Sequence, residues 1–345
     1  MNPLALAIFL LSLAIGTTVT LMSYHWLLAW IGLEINTLAI IPIMTKTPHP
    51  RAVEAATKYF LIQATASALV LFSSLINAWQ VGQWHIATLT DLPMNVISVA
   101  LMMKLGLAPL HFWVPEVLQG ISLPTGLILS TWQKIAPMAL LLQISPQINL
   151  NLIAIMGLTS ILVAGWGGIA QTQLRKIIAF SSIGHLGWMA LILKYDPQLT
   201  LFNFLMYLLM TASMFTSLMT ISATKMSKIS TSWPKTPALT ATTMLILLSL
   251  AGLPPLTGFA PKLLIILELV KQNSVLLATV VVAASLLSLF FYLRLTYIIM
   301  LTLPPNTPSS LATWRTPTKS LPLTALLNTL ALILLPLTPT IIDLM

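Results

Sequence analysis

Residues 106–112 read Gly106-Leu107-Ala108-Pro109-Leu110-His111-Phe112, and residues 252–259 read Gly252-Leu253-Pro254-Pro255-Leu256-Thr257-Gly258-Phe259. Each stretch interrupts a long apolar run, 93–117 in the first case and 238–270 in the second. Proline removes a backbone donor and clashes with the preceding turn. In lipid, such a break survives only where protein or a wet cavity satisfies the freed carbonyls. The pattern G-L-x-P-L recurs 146 residues apart, five spans later. An odd offset inverts one copy relative to the other, and paired Gly/Pro-interrupted segments are the sequence mark of inverted transporter-type repeats. Gly, Leu and Pro are common in this chain, so chance is the competing explanation. A lysine beside each copy, Lys104 and Lys262, argues against chance.

The rest of the chain agrees with a membrane reading. Of 345 residues 57% are apolar and 7% charged, with a mean hydropathy of +0.95. A soluble domain carries about a quarter charged residues. A span needs about 20 apolar residues. Cutting at polar and Pro-rich interruptions gives eleven segments, near 1–22, 25–44, 57–79, 93–117, 123–143, 148–170, 176–194, 199–222, 238–270, 274–300 and 322–342. The fold expected is an all-α polytopic membrane protein. The opening MNPLALAIFLLSLAIG lacks a basic n-region and an Arg/Ser-rich amphipathic pattern, so it reads as a retained first span. The chain has no cysteine, which excludes disulfides and thiolate-held iron–sulfur clusters within it. Sixteen basic residues against seven acidic give +9, too few and too scattered for a nucleic-acid face.

Loop charge tests the segment count. Lys46, Arg51, Lys58, Arg175, Lys176, Lys225, Lys228, Lys235, Arg315 and Lys319 fall on one side, and only Lys194 and Lys271 on the other. A split of this kind is what the positive-inside rule requires of a correct parity. It places the N-terminus on the basic side and the C-terminus, with Asp343, on the opposite one.

Four charges lie within spans: Glu34, Lys104, Lys134 and Lys262. Each costs roughly 2.5–3.5 kcal/mol on insertion scales. Proton handling is a physical use that would retain them. Low dielectric favours the neutral amine, a second lysine nearby favours it further, and a carboxylate favours the charged form. A glutamate beside two lysines therefore works as a switch. Glu34 is the sole central acid and Lys104, in a broken helix, is its natural partner; Lys134 and Lys262 continue the line. Structural ion pairs holding helices together are the alternative, but one acid cannot neutralise three lysines. His111, in the first break, and His185, in Ser181-Ser182-Ile183-Gly184-His185, stand equally as relay members and as histidines satisfied at a helix interface. His25, His49 and His85 read as loop or interface residues, Glu116 and Glu268 as snorkelled surface charge near segment ends with proton entry or exit as the alternative, and Arg294 as a snorkelling anchor. Gly165-Trp166-Gly167-Gly168 lies inside a span and reads as helix packing. Neither a Walker motif nor a G-x-G-x-x-G occurs, no ligand spacing suggests a metal, and five dispersed histidines give little support to haem.

These motifs, as a set, carry a resemblance. The start MNPLALAIFL, the Glu34 span, Met103 through Trp113, Trp132-Gln133-Lys134, Ser181 through Trp188, and Gly252 through Phe259 with Lys262 resemble the antiporter-like membrane-arm subunits of respiratory complex I, mitochondrial NADH:ubiquinone oxidoreductase. Among these the chain is similar, over essentially its whole length, to the subunit 2 family of the vertebrate type. The resemblance implies about eleven transmembrane helices: two inverted five-helix repeats, 1–145 and 146–301, each with a broken helix, and a loop and C-terminal helix over 302–345. It implies that Glu34 pairs with Lys104, that Lys134 is the central relay lysine and that Lys262 lies on the second broken helix. It implies no cofactor or metal in this chain; NADH, flavin, iron–sulfur clusters and ubiquinone belong to other subunits. The expected partners are the other membrane-arm subunits, accessory subunits and inner-membrane lipids. The expected place is the mitochondrial inner membrane, with the N-terminus in the matrix and the C-terminus facing the intermembrane space. Seventeen methionines and the missing presequence fit a product made inside the mitochondrion. Bacterial relatives carry three further N-terminal helices, so an accessory subunit or lipid is expected on that flank. Two other readings use the same residues: a standalone cation/proton antiporter, which should transport after reconstitution alone, and a scaffold with inert lysines.

Overall fold

The computed structural model describes residues 2–46, 48–233, 236–301 and 322–343. Among them there is no strand. The helices are α1 (Pro3–Leu21), α2 (Trp26–Met44), α3 (Pro50–Val81), α4 (Asp91–Leu105), α5 (Trp113–Gly120), α6 (Leu123–Ser130), α7 (Trp132–Ile144), α8 (Leu150–Ile169), α9 (Leu174–Ile192), α10 (Pro197–Ile221), α11 (Met226–Ser230), α12 (Pro237–Ala251), α13 (Phe259–Lys271), α14 (Val275–Leu301), α15 (Pro322–Ile333) and α16 (Thr338–Asp343). They group into two compact units, within Met1–Ser160 and Ile161–Met345.

Local chemistry sets many of the ends. Proline occupies the first turn of α1, α3, α10 and α12, where its missing donor has no partner to lose. Asn2, His25, His49 and Asp196 cap helices with side-chain acceptors. His25 and His49 are thus capping residues. Serines and threonines within helices return their hydroxyls to a carbonyl one turn back, as Ser181 does to Ile178 at 2.8 Å and Ser249 to Ile246 at 2.7 Å. That bond lets a hydroxyl-rich helix lie in lipid without unsatisfied donors.

Seven helical spans are long and apolar enough to cross a membrane by themselves: Pro3–Leu21, Trp26–Met44, Pro50–Val81, Leu123–Ile144, Leu150–Ile169, Pro197–Ile221 and Val275–Met300. Pro322–Ile333 and Leu335–Asp343, bent by 64°, make an eighth if taken as one span. The other three expected segments differ for physical reasons. Both 93–117 and 238–270 are split into half-helices. Segment 176–194 corresponds to α9, whose Arg175, Lys176, Ser181, Ser182 and His185 dilute its apolar character.

In the first unit α1 and α2 pack closely at their glycines. A Cβ on Gly32 would stand 2.9 Å from the Gly16 carbonyl oxygen. Helix α7 contacts α1, α2 and α4, while α3 contacts α2, α4 and α5. In the second unit α10 contacts α9, α12, α13 and α15, and α14 contacts α11, α12 and α13. The glycine-rich run of α8 is a packing feature: Gly165 abuts Leu287, Gly167 abuts Phe180 and Gly168 abuts Phe291. Each unit also has one isolated β-bridge between loops, His25 with His85 and Gln173 with Lys225.

Both expected breaks are present. Helix α4 ends at Gly106 (φ 84°) and α12 at Gly252 (φ 79°), a left-handed conformation that glycine adopts freely. The Ala108–Pro109 and Pro254–Pro255 peptides are cis. Gly258 permits a close backbone approach, since a Cβ there would lie 1.8 Å from the Ser249 carbonyl oxygen.

Candidate functional site

The open carbonyls of the first break are taken by neutral donors. Trp113 Nε1 donates to the Met103 carbonyl at 3.2 Å, and Gln63 Nε2 to the Lys104 carbonyl at 3.3 Å. Lys104 sits in the last turn of α4, where the helix dipole favours a cation. It is 5% exposed, and its Nζ has no hydrogen-bond partner among the described residues. Lys134 stands in the first turn of α7, just past a kink at Thr131, and is 3% exposed. Lys104 and Lys134 line one buried cavity of about 10 Å³ together with Asn36, Tyr59, Gln63 and Gln133.

Glu34 does not line that cavity. It is half-buried on α2, and its Oε2 accepts a hydrogen bond from Thr37 Oγ1 at 3.1 Å. No Glu34–Lys104 ion pair within 4.0 Å occurs among the described residues. The expected Glu34–Lys104 pair is therefore not a direct contact in this structure.

The second break is satisfied differently. Lys262, near the start of α13, donates its Nζ back to the Ala251 carbonyl at 2.7 Å, across the break. The same amine stands 5.9 Å above the Trp188 ring, a cation–π arrangement. Gly252 makes the room, for a Cβ there would come 3.0 Å from Lys262 Nζ. Lys262 and His185 line one cavity of about 20 Å³ with Ser181, Trp188 and Tyr292. The His185 and Tyr207 rings are 5.8 Å apart.

His111 stays apart from both cavities. Its Nδ1 lies 3.2 Å from the Pro109 carbonyl and its ring packs on Phe112. Glu116 pairs with Lys58 at 2.8 Å, and Lys58 also reaches Glu54 at 2.5 Å, all at exposed positions. Glu268 accepts from Lys271 at 3.3 Å and from Gln272 at 2.9 Å. The Arg294 guanidinium donates to the Ile169 carbonyl. Lys235, Arg315 and Lys319, used in the loop-charge argument, lie outside the described residues. Among the described residues no cluster of three or more His, Asp or Glu is arranged to hold a metal ion.

Sequence reasoning passed over Asn36, Tyr59, Gln63 and Gln133. Asn36, Gln63 and Gln133 are uncharged amides and Tyr59 a phenol, polar groups that do not stand out within an apolar span as a charge does.

Broken half-helices, each with a lysine amine at or beside the open carbonyl end, define a class: helical membrane proteins of the antiporter-like kind. A family model described as "NADH:quinone oxidoreductase/Mrp antiporter, TM" matches residues 23–288, and one described as "NADH dehydrogenase subunit 2 C-terminus" matches 289–342. NADH-ubiquinone oxidoreductase chain 2 of Aquarana catesbeiana is 78% identical over 342 residues, covering 99% of each chain. The protein of the same name from Xenopus laevis is 59% identical, over 99% of this chain and 100% of the other. A chain of respiratory complex I from Thermus thermophilus with bound aureothin superposes with a TM-score of 0.84 at 28% identity, over 97% of this chain and 80% of that one. A chain of the Mrp complex from Dietzia sp. shares the fold, with a TM-score of 0.80 at 20% identity over 86% of this chain and 60% of that one. The chain belongs to the NADH-ubiquinone oxidoreductase chain 2 family.

Proposed function

We propose that this chain moves protons as a membrane-arm subunit of respiratory NADH:ubiquinone oxidoreductase, through a relay of Glu34, Lys104, Lys134 and Lys262. The observation that carries the reading is the cavity lined jointly by Lys104 and Lys134. Two amines lining one small buried space cannot both be charged cheaply, so a proton on one lowers the affinity of the other. Electron transfer in other subunits, which carry the flavin, iron–sulfur and quinone chemistry, biases the charge at Glu34 and Lys104. That bias sets the proton affinity of Lys134. Lys262 and His185, which share a cavity of their own, then pass protons onward to a neighbouring membrane-arm subunit or to the outer side. His111, bound to its own loop, is a packing residue in this scheme.

The architecture that goes with it is eleven crossings in two inverted five-helix repeats, 1–145 and 146–301, followed by 302–345. Support comes from the paired breaks at Gly106 and Gly252 and from the paired β-bridges, each joining the start of a second helix to the loop after a third. The chain spans the mitochondrial inner membrane, with the N-terminus on the matrix side and the C-terminus on the other. Its partners are the other membrane-arm subunits, with accessory subunits and lipids around them.

The test is Lys134→Met in the assembled complex, reading proton pumping and NADH:ubiquinone turnover together. Removing a group that itself carries the proton should cost about a hundredfold in coupled turnover, the low end for acid–base groups. Unchanged pumping with normal assembly would make the lysines inert and the chain a scaffold. Cation-driven proton flux by the chain reconstituted alone would favour a self-sufficient antiporter.

A further inference from the structure

We propose that Asn36 is a positioning residue, holding a bound water between the amines of Lys104 and Lys134; this rests on the relay reading above. Asn36 is 2% exposed, and neither its Oδ1 nor its Nδ2 has a hydrogen-bond partner among the described residues. Lys104 Nζ is in the same condition. All three atoms belong to side chains lining the cavity that Lys134 also lines. Leaving three buried polar atoms unpaired is costly, because each loses its water without gaining a partner. A single ordered water needs roughly 10–15 Å³ of such space and two to four polar partners. The cavity, about 10 Å³, matches that size, and the amide and the amine supply the partners.

Asn36 is held in place for the task. Its side chain packs against Gly16 of α1, where a Cβ would stand 2.5 Å from Asn36 Oδ1. Gln133 Nε2 donates to the Asn36 backbone carbonyl at 3.3 Å, fastening α2 to the start of α7 one residue before Lys134. The amide has little freedom to swing away. In the transfer step the ammonium of one lysine gives a proton to the water oxygen. The water releases a different proton to the neutral amine of the other lysine. The water is regenerated, and one charge has moved between the lysines. Asn36 neither gains nor loses a proton; it orients the water.

The experiment compares Asn36→Leu, Asn36→Ser and Lys134→Met in the assembled complex. Leu keeps the volume and removes the polar group. Ser keeps a hydroxyl. The expected result is that Asn36→Leu lowers coupled NADH:ubiquinone turnover about tenfold, the worth of one hydrogen bond to a charged group. Electron transfer to an artificial soluble acceptor should be unchanged, and Asn36→Ser should recover most of the loss. Wild-type turnover in Asn36→Leu, or equal losses in Leu and Ser, would overturn the proposal. If Lys134→Met abolishes pumping while Asn36→Leu leaves it intact, the water site fails and the relay stands; if Lys134→Met leaves pumping intact, both fail. A high-resolution map of the wild-type complex gives an independent answer should Asn36→Leu not assemble. An ordered water within about 3.2 Å of both the Asn36 amide and Lys104 Nζ supports the site. Side chains closing that gap overturn it.

Discussion

Lys104 and Lys262 solve one problem in two ways. Each half-helix that ends in the membrane leaves carbonyls without donors. In the second unit the lysine itself takes the Ala251 carbonyl. In the first unit Gln63 and Trp113 take the carbonyls, and the Lys104 amine is left for the cavity. In the proposed relay Lys104 is the charge switch, with Glu34 acting on it through space. On that reading Glu34→Gln is expected to lower coupled turnover about tenfold, the worth of one interaction with a charged group, and Lys104→Met, which removes a proton carrier, about a hundredfold. Assembly should persist, because no contact ion pair is broken. Loss of the assembled complex on a native gel in both variants would mean instead that the pair holds helices together. The charged members of the site were legible in the sequence because a charge inside an apolar run is costly and conspicuous. Asn36, Gln63 and Gln133 were not, since an amide in a span draws no attention until its partners are known.

Among elements, the broken helices were the most legible. Glycine and proline act through local backbone chemistry, and the left-handed Gly106 and Gly252 follow from it. Less legible was how tightly the halves approach. At Gly258 the next atom is a backbone oxygen, which cannot yield as a side chain would. Gly258→Ala should therefore destabilise the second break by about 1–3 kcal/mol or more, the usual cost of overpacking. Thermal denaturation of the purified complex would read it, with wild-type melting counting against this close approach. Helix α9 shows the converse limit of hydropathy: nearly every residue from Ile177 to Leu193 is buried, so polar groups such as Ser182 and His185 are shielded by protein and do not need an apolar helix around them.

On the scale of the whole molecule, many large apolar side chains face outward, among them Leu4, Ile8, Phe72, Trp79, Leu276 and Leu286. For a soluble protein that surface would invite aggregation; in a bilayer it is the surface that lipid and neighbouring subunits cover. On a native gel of membranes dissolved in mild detergent, this chain should migrate within a very large band that stains for NADH dehydrogenase activity. Migration as a small, inactive species would contradict membership of the assembly and return attention to ion flux by the chain alone.

Composition and the spacing of breaks determined, without coordinates, that this is a helical membrane chain with two interrupted spans and charges inside them. Those properties are local: apolar length, proline geometry and the cost of a charge in lipid are all read along the chain. Which side chains share a space was decided only by tertiary packing. Lys104 and Lys134 stand on different helices and meet because α7 packs on α4; Lys262 and His185 meet because α13 packs on α9. A helix fixes the face a residue occupies but not what lies opposite, and proton transfer depends on what lies opposite.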